Sequence, residues 1–403
     1  MMKRNFRLRF LSFATAFLLI LSCVIPTAAD GNVSLISAED ASAVSDLGVA
    51  DGSLELNCRS VVLMEATTGV VLYKQNADEA LPPASVTKIM TLLLVMEAVE
   101  AGTVRLDSKI TVSANAASMG GSQVYLKEGE TMCVEEMLKC VIIASANDCA
   151  VALAEHIAGS EAAFVAAMNA RAAELGMVNT HFENTNGLDD TAINHVTSAR
   201  DIAIMSRALI AHEKILEYSG IWMDTIRDGA FGLTNTNRLV RYYRGCTGLK
   251  TGSTARAKFC ISATAERDGL SLICVVMAAD TRDVRNEIAA SLLDYGFASF
   301  STYKNEAGTL SLPVEGGVAP VAPLTYGEFC ATVKKGSQGK VTVRLDLPEV
   351  LAAPVREGAE VGRVVYSLEG HEIGSVPIIA STAVEKIGFG TLFWRILEQF
   401  LLL

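Results

Sequence analysis

Apolar and polar positions change their period several times along the chain, and each change marks a segment. Lys3, Arg4, Arg7 and Arg9 precede an apolar run from Phe10 to Ile25, which ends in Pro26-Thr27-Ala28-Ala29. A basic start, an apolar middle and small residues at the end predict an export signal over 1–29, cleaved after Ala29. The run is shorter than the ~20 residues a membrane span uses. Lipid attachment at Cys23 is the lesser alternative, because apolar residues continue past it. Residues 30–53 are small and acidic without periodicity, which predicts a linker. Ser60 to Met64 and Val70 to Lys74 look like two strands, joined as a hairpin through Ala66-Thr67-Thr68-Gly69. From Ser85 to about Gly102 the spacing turns helical, with Ile89, Leu92, Leu93 and Met96 on one face. Helices are expected over 134–144, 146–158 and 161–175, and after Thr197, where Ser198-Ala199-Arg200-Asp201 forms a capping box. The period returns to two over Lys258 to Glu266 and Leu270 to Ala279, linked by the hairpin signal Arg267-Asp268-Gly269. A helix over 284–296 follows.

Strands at both ends of this region with helices between them predict an α/β (α+β) domain over 54–297. Its antiparallel sheet is assembled from distant segments and carries a helical subdomain. Residues 305–385 carry Gly, Pro and Val with short alternating segments such as Val341 to Leu345 and Arg363 to Tyr366, which predicts a small all-β domain. In the last segment, 386–403, a helical wheel puts Leu392, Phe393, Ile396, Leu397, Phe400 and Leu401 on one arc. Thr391, Arg395, Glu398 and Gln399 fall opposite. That pattern, with Trp394, suits a helix lying in a membrane surface. Packing on the β domain is the competing reading.

Half of the 403 residues are hydrophobic and a fifth are charged, which excludes a largely disordered chain. The net charge is −11, and past residue 29 it is −15, from 30 basic and 45 acidic residues. A surface that negative excludes nucleic acid as a partner. Eight of the nine cysteines lie beyond the signal, most of them in apolar runs, and without C-x-x-C or Cys/His zinc spacing. Mostly free, buried thiols and no metal site are therefore expected.

Three short motifs carry the chemistry. Ser85-Val86-Thr87-Lys88 opens the first helical stretch, so hydroxyl and amine meet at i and i+3. A serine becomes a useful nucleophile when a neighbouring base takes its proton. Ser145-Ala146-Asn147 offers a hydroxyl that can relay a proton and a carboxamide that can grip a peptide, although Ser and Asn are also common helix caps. Lys250-Thr251-Gly252 offers an amine and a hydroxyl for a carboxylate, with a glycine that permits close backbone approach. Each motif alone is weak. Ser301 to Lys304 and Ser337 to Lys340 repeat the first, and Ser113-Ala114-Asn115 repeats the second. In order, at separations of 60 and 105 residues, the three become specific together.

With these motifs the chain resembles the low-mass penicillin-binding proteins that are serine-type D-Ala-D-Ala carboxypeptidases. The likeness extends through Pro83 to Thr91, Asn184-Thr185-Asn186-Gly187-Leu188-Asp189 and Thr247 to Thr254, and covers about residues 54–297. The β domain and terminal helix also look like this family, most of all its sporulation-associated Gram-positive members. Val86 stands where leucine is usual. Asn194-His195-Val196-Thr197 departs from the usual Gly-His-Tyr-Thr, a difference expected to touch only local loop contacts. The resemblance implies a penicillin-binding/β-lactamase-like fold and an enzyme that removes the terminal D-alanine from a peptidoglycan stem peptide ending in D-Ala-D-Ala, without metal or cofactor. It implies Ser85 as nucleophile, Lys88 as general base kept neutral by Lys250, and Ser145 as proton relay. Asn147 would orient the peptide, and the Ser85 and Ser253 N–H groups would form the oxyanion hole. Lys250 and Thr251 would hold the carboxylate, with Arg285 as helper. β-Lactams would act as covalent inhibitors at the outer face of the cell membrane, and oligomeric state is left open. Three rivals stand beside it: an esterase using S-x-x-K, a non-catalytic wall-binding protein, and a class A β-lactamase. The last needs a deacylating glutamate in a Glu-x-x-x-Asn loop, which Glu183 does not match.

Overall fold

The computed structural model describes residues 56–189 and 192–401, so the expected export signal and the linker lie outside the described residues. Five antiparallel strands form the central sheet: β1 (Ser60–Glu65), β2 (Val71–Gln75), β3 (Cys246–Thr254), β4 (Lys258–Arg267) and β5 (Leu270–Ala279). Their order in space is β2-β1-β5-β4-β3, so the first strand of the domain is zipped to one more than 200 residues later. The β4–β5 turn needs two left-handed residues, and Asp268 (φ 53°) and Gly269 (φ 76°) supply them.

Every residue of β1 is buried because both faces of the sheet are covered. Val62 and Met64 face a helical layer, whereas Val61 and Leu63 pack with Leu292, Leu293 and Phe297 of the long helix Arg282–Ser299. The helical layer comprises α1 (Lys88–Glu100), α2 (Val134–Ile143), α3 (Asn147–Ala158), α4 (Glu161–Glu174) and α5 (Ala199–Ile210), and α6 is Arg282–Ser299. Ser198 caps α5 by accepting from Asp201 N–H, as its sequence predicts.

Two expectations change. The helix α1 is not one-faced: Ile89, Met90, Leu92, Leu93, Val95 and Met96 are all buried, because it runs through the middle of the layer. Ser85 does not open that helix either. It sits in a preceding 3-10 turn, Ala84–Thr87, entered from Pro82-Pro83 through Ala84 at φ 50°.

No linker separates the two domains. The helix α6 ends at Ser299 and the chain continues directly as strand Phe300–Asn305, paired with Phe329–Lys334. Beyond it a six-stranded sheet closes over its own core, where Phe329 and Tyr366 stack at 3.9 Å. Thr332 of this domain hydrogen-bonds Thr68 (3.0 Å) and the buried Glu65 carboxylate (3.2 Å), which pins the β1–β2 hairpin. The last helix, α7 (Phe389–Leu401), buries no residue, and Phe389, Trp394 and Phe400 are 85%, 63% and 75% exposed. The helix therefore adds no buried side chain to the β core. Arg395 donates to the Val318 carbonyl and tethers it. Among the described residues no single helix is long and apolar enough to cross a membrane, and all eight cysteines are free thiols.

Candidate active site

The nucleophile turn is held from two sides. Strand β3 crosses it at Gly252, where a Cβ would come within 2.7 Å of Ser85 N and 2.8 Å of Pro83 O. Only glycine leaves the K-T-G strand this close to the S-x-x-K turn. On the other side Lys88, fully buried at the start of α1, brings Nζ within 2.9 Å of Ser85 Oγ.

Two further partners hold that amine in place. Lys88 Nζ donates to Asn147 Oδ1 (2.6 Å) and to Asn186 O (2.8 Å). The Asn147 amide is oriented by its Nδ2 donating to Gly120 O at 2.7 Å, so its oxygen faces the lysine. Both acceptors can only accept. A neutral amine therefore spends its two N–H bonds on them and turns its lone pair to the Ser85 hydroxyl. Burial, reinforced by the Lys250 charge and opposed by Asp148, lowers the Lys88 pKa well below 10.5. Asn147 is the first residue of α3, and Ser145 precedes it at φ 66° in the tight α2–α3 connection, neither acting as a side-chain cap.

A cavity of about 630 Å³ opens over this centre. Ser85, Ser145, Thr251, Gly252, Ser253 and Arg285 line it, so residues from all three motifs share one wall. Lys88, Asn147 and Lys250 form the layer beneath. Lys250 is fully buried and donates to Thr251 O at 2.8 Å, and burial with the Arg285 charge lowers its pKa to about 7. The Thr251 hydroxyl meets Thr236 Oγ1 at 2.8 Å. Arg285 is buried, donates to Cys260 O (3.3 Å) and Asn286 Oδ1, and has its pKa lowered to about 10 by burial. No carboxylate lines the cavity among the described residues.

Residues 47–281 match the D-alanyl-D-alanine carboxypeptidase profile of peptidase family S11, and residues 312–386 match the C-terminal domain of penicillin-binding protein 5. The chain is 40% identical to the D-alanyl-D-alanine carboxypeptidase DacF of Bacillus subtilis, over 86% of this chain and 91% of that one. The chain belongs to the D-alanyl-D-alanine carboxypeptidase family. It is a serine hydrolase with a penicillin-binding, β-lactamase-like α+β domain followed by an all-β domain. The crystal structure of penicillin-binding protein 5 from Haemophilus influenzae superposes with a TM-score of 0.74 at 31% identity, covering 83% of this chain and 99% of that one. Penicillin-binding protein D2 from Listeria monocytogenes, solved with ampicillin bound, superposes at 0.56 and 33% identity, covering 60% of this chain and 99% of that one.

In this carboxypeptidase the sequence repeats of the motifs have structural roles. Ser113 caps a short helix by accepting from Ala116 N–H, and donates to Glu155. Ser301 lies on a strand, and Ser337 precedes a 3-10 turn of the β domain. Glu183, the one residue considered for a β-lactamase-type deacylation, is exposed, accepts from Asn194 N–H at 3.1 Å and does not line the cavity. Sequence reasoning missed the Asn186 carbonyl beneath Lys88, Thr236 behind Thr251, and the far wall of Trp222, Arg238 and Tyr242. Only the run Asn184 to Asp189 carried a signal for any of these.

Proposed function

We propose that Ser85 attacks the carbonyl between the two terminal D-alanines of a peptidoglycan stem peptide while Lys88 takes its proton. The C–N bond then breaks, Ser145 passes a proton to the departing D-alanine amine, and water hydrolyses the Ser85 ester. Ser85 and Ser253 N–H groups stabilise the oxyanion, the largest electrostatic contribution in such sites. Asn147, expected from the sequence to orient the peptide, instead holds the lysine from beneath the cavity, its carboxamide engaged by Lys88 and the Gly120 carbonyl. Thr251 and Arg285 receive the terminal carboxylate, with the Lys250 charge directly behind them. The observation that carries this reading is the buried Lys88 amine 2.9 Å from Ser85 Oγ: burial favours its neutral form, and in that form its two obligate acceptors leave the lone pair for Ser85. β-Lactams, which set a strained carbonyl beside a carboxylate, acylate the same serine, as the ampicillin-bound Listeria relative supports. Incubating the mature enzyme with a stem pentapeptide and following D-alanine tests the reading; no release, or release unaffected by prior penicillin treatment, overturns it.

The same assay has an expected pH profile. Lys250 titrates at about 7 in the free enzyme, so its charge is present below that pH and lost above it. A bound carboxylate draws the proton back. KM for the peptide acid should rise above about pH 7, and KM for its amide should stay flat. Equal pH dependence for acid and amide removes Lys250 from carboxylate recognition.

We also propose export by residues 1–29 and attachment of the mature enzyme to the outer membrane surface through α7. Its exposed Phe389, Phe393, Trp394, Ile396 and Phe400 favour burial among lipids, and one Arg and one Glu leave the helix without net charge. Truncation after Lys386 should move the enzyme to the soluble fraction with turnover of soluble peptide unchanged. Vesicle binding of the full-length protein should respond weakly to salt. Truncated protein that still sediments with membranes sinks the assignment.

A further inference from the structure

Behind the nucleophile turn lies a chain of hydrogen bonds whose direction is fixed at every link. His195 is buried, 4% exposed, in the loop leading to α5. Its Nδ1 lies 3.0 Å from Glu183 N, a backbone group that can only donate. Nδ1 is therefore bare, and the proton sits on Nε2. Nε2 lies 2.7 Å from Thr87 Oγ1, and that hydroxyl lies 2.8 Å from the Ala84 carbonyl, which can only accept. Thr87 has one hydrogen, so it must give it to Ala84 and accept from His195. The sequence Glu183 N–H to His195 to Thr87 to Ala84 O is thus read without ambiguity.

The end of this chain matters because of where Ala84 stands. Its φ of 50° puts a non-glycine residue in the left-handed region immediately before Ser85, a conformation that surrounding contacts must hold. Gly187 presses on the same carbonyl, where a Cβ would stand 1.8 Å from Ala84 O and 2.8 Å from Thr87 Oγ1. The adjoining Asn186 carbonyl is the one that accepts from Lys88. The loop over 183–188 and His195 therefore clamp one turn that carries both the nucleophile and its base. His195 is the residue this loop shares with the usual Gly-His-Tyr-Thr, and it reaches the S-x-x-K motif itself, whereas the departing Asn194 and Val196 bond only within the loop.

We infer that His195 is a positioning residue for the reaction: as the neutral Nε2–H tautomer it acts through Thr87 and the Ala84 carbonyl to fix the turn that presents Ser85. The inference rests on Ser85 as the acylated residue. Protonating Nδ1 would set two donors, ring and Glu183 N–H, against each other, and the surroundings oppose it. Burial, then His181 and Lys88, with Asp189 opposing, lower the His195 pKa to about 4.

The test measures the rate of β-lactam acylation, with the adduct mapped by mass spectrometry, in the full-length enzyme and five variants. His195→Asn keeps an oxygen near Nδ1 and loses the donor to Thr87, whereas His195→Gln keeps an N–H near Nε2. Thr87→Val and Thr87→Ser make the matching pair, and His195→Asn/Thr87→Val closes the cycle. His195→Asn and Thr87→Val should each slow acylation by about ten- to a hundred-fold. His195→Gln and Thr87→Ser should restore most of the rate, and the double variant should be little slower than either single. On the stem peptide kcat should fall with KM nearly constant, because neither residue lines the cavity. Acylation at the wild-type rate in His195→Asn, or equal loss in the Gln and Asn variants, overturns the inference. Should the variants fail to fold, ring ¹H–¹⁵N correlations of the wild-type enzyme still decide: an Nε2–H ring that stays neutral between pH 7 and 5 supports it, and an Nδ1–H or charged ring overturns it. A wild-type adduct on a peptide lacking Ser85 would instead refute the nucleophile, a separate result.

Discussion

Ser85→Ala should lose covalent capture of β-lactam and release of D-alanine together, by on the order of 10⁴- to 10⁶-fold. The size follows from what the alanine leaves behind. The proposed oxyanion donors, Thr251, Lys250 and Arg285 remain, so binding persists, but no oxygen is left to accept the acyl group. The fold should tolerate the change. Among the described residues Ser85 Oγ is bonded only to Lys88, which keeps Asn147 Oδ1 and Asn186 O. A thermal midpoint close to wild type, with equilibrium penicillin binding still measurable, would separate lost chemistry from lost structure. Labelling that survives in Ser85→Ala, or that maps to Ser301 or Ser337, ends the assignment. Neither alternative serine lines the cavity.

The parts of this site that could be read from the sequence are those written as contiguous motifs. Ser85 and Lys88 are three residues apart, and that spacing alone brings hydroxyl and amine together even though a 3-10 turn, not the helix, carries the serine. Much of the sheet was legible for the same reason: β1, β4 and β5 are short apolar runs of strand length, and Asp268-Gly269 names its own turn. What the sequence hides are backbone and long-range partners. A carbonyl such as Asn186 O has no side-chain signature, and His195 meets Thr87 only because α1 and the loop before α5 fold against each other 108 residues apart. Lys250 shows the same limit. Its motif points to a carboxylate ligand, but Thr251 faces the cavity while the amine lies beneath, a distinction set by strand pleat rather than by residue type. Burial all round α1 was also invisible, since it depends on how many elements surround it and not on its own pattern.

Replacing Lys88 distinguishes a base from a mere donor. Lys88→Met removes both, and acylation should fall by about 10²- to 10⁴-fold. Two buried acceptors, Asn147 Oδ1 and Asn186 O, then lose their partner, at ~1–3 kcal/mol each, while the cost of burying an amine disappears, so the net stability change should be small. Lys88→Arg is the sharper variant. A guanidinium supplies N–H donors to the same acceptors but does not deprotonate, so a base role predicts inactivity at every pH whereas a donor role predicts partial activity. The wild-type pH profile carries the same information. Acylation should increase with pH as Lys88 loses its proton, along a limb centred well below the ordinary lysine value of 10.5, because burial and the Lys250 charge both disfavour the ammonium. Lys250→Gln removes one of those two causes. The Lys88 ammonium then becomes easier to keep, its pKa rises, and the ascending limb should move to higher pH. A limb that stays in place in Lys250→Gln, or moves to lower pH, assigns the titration to another group and takes the general base away from Lys88.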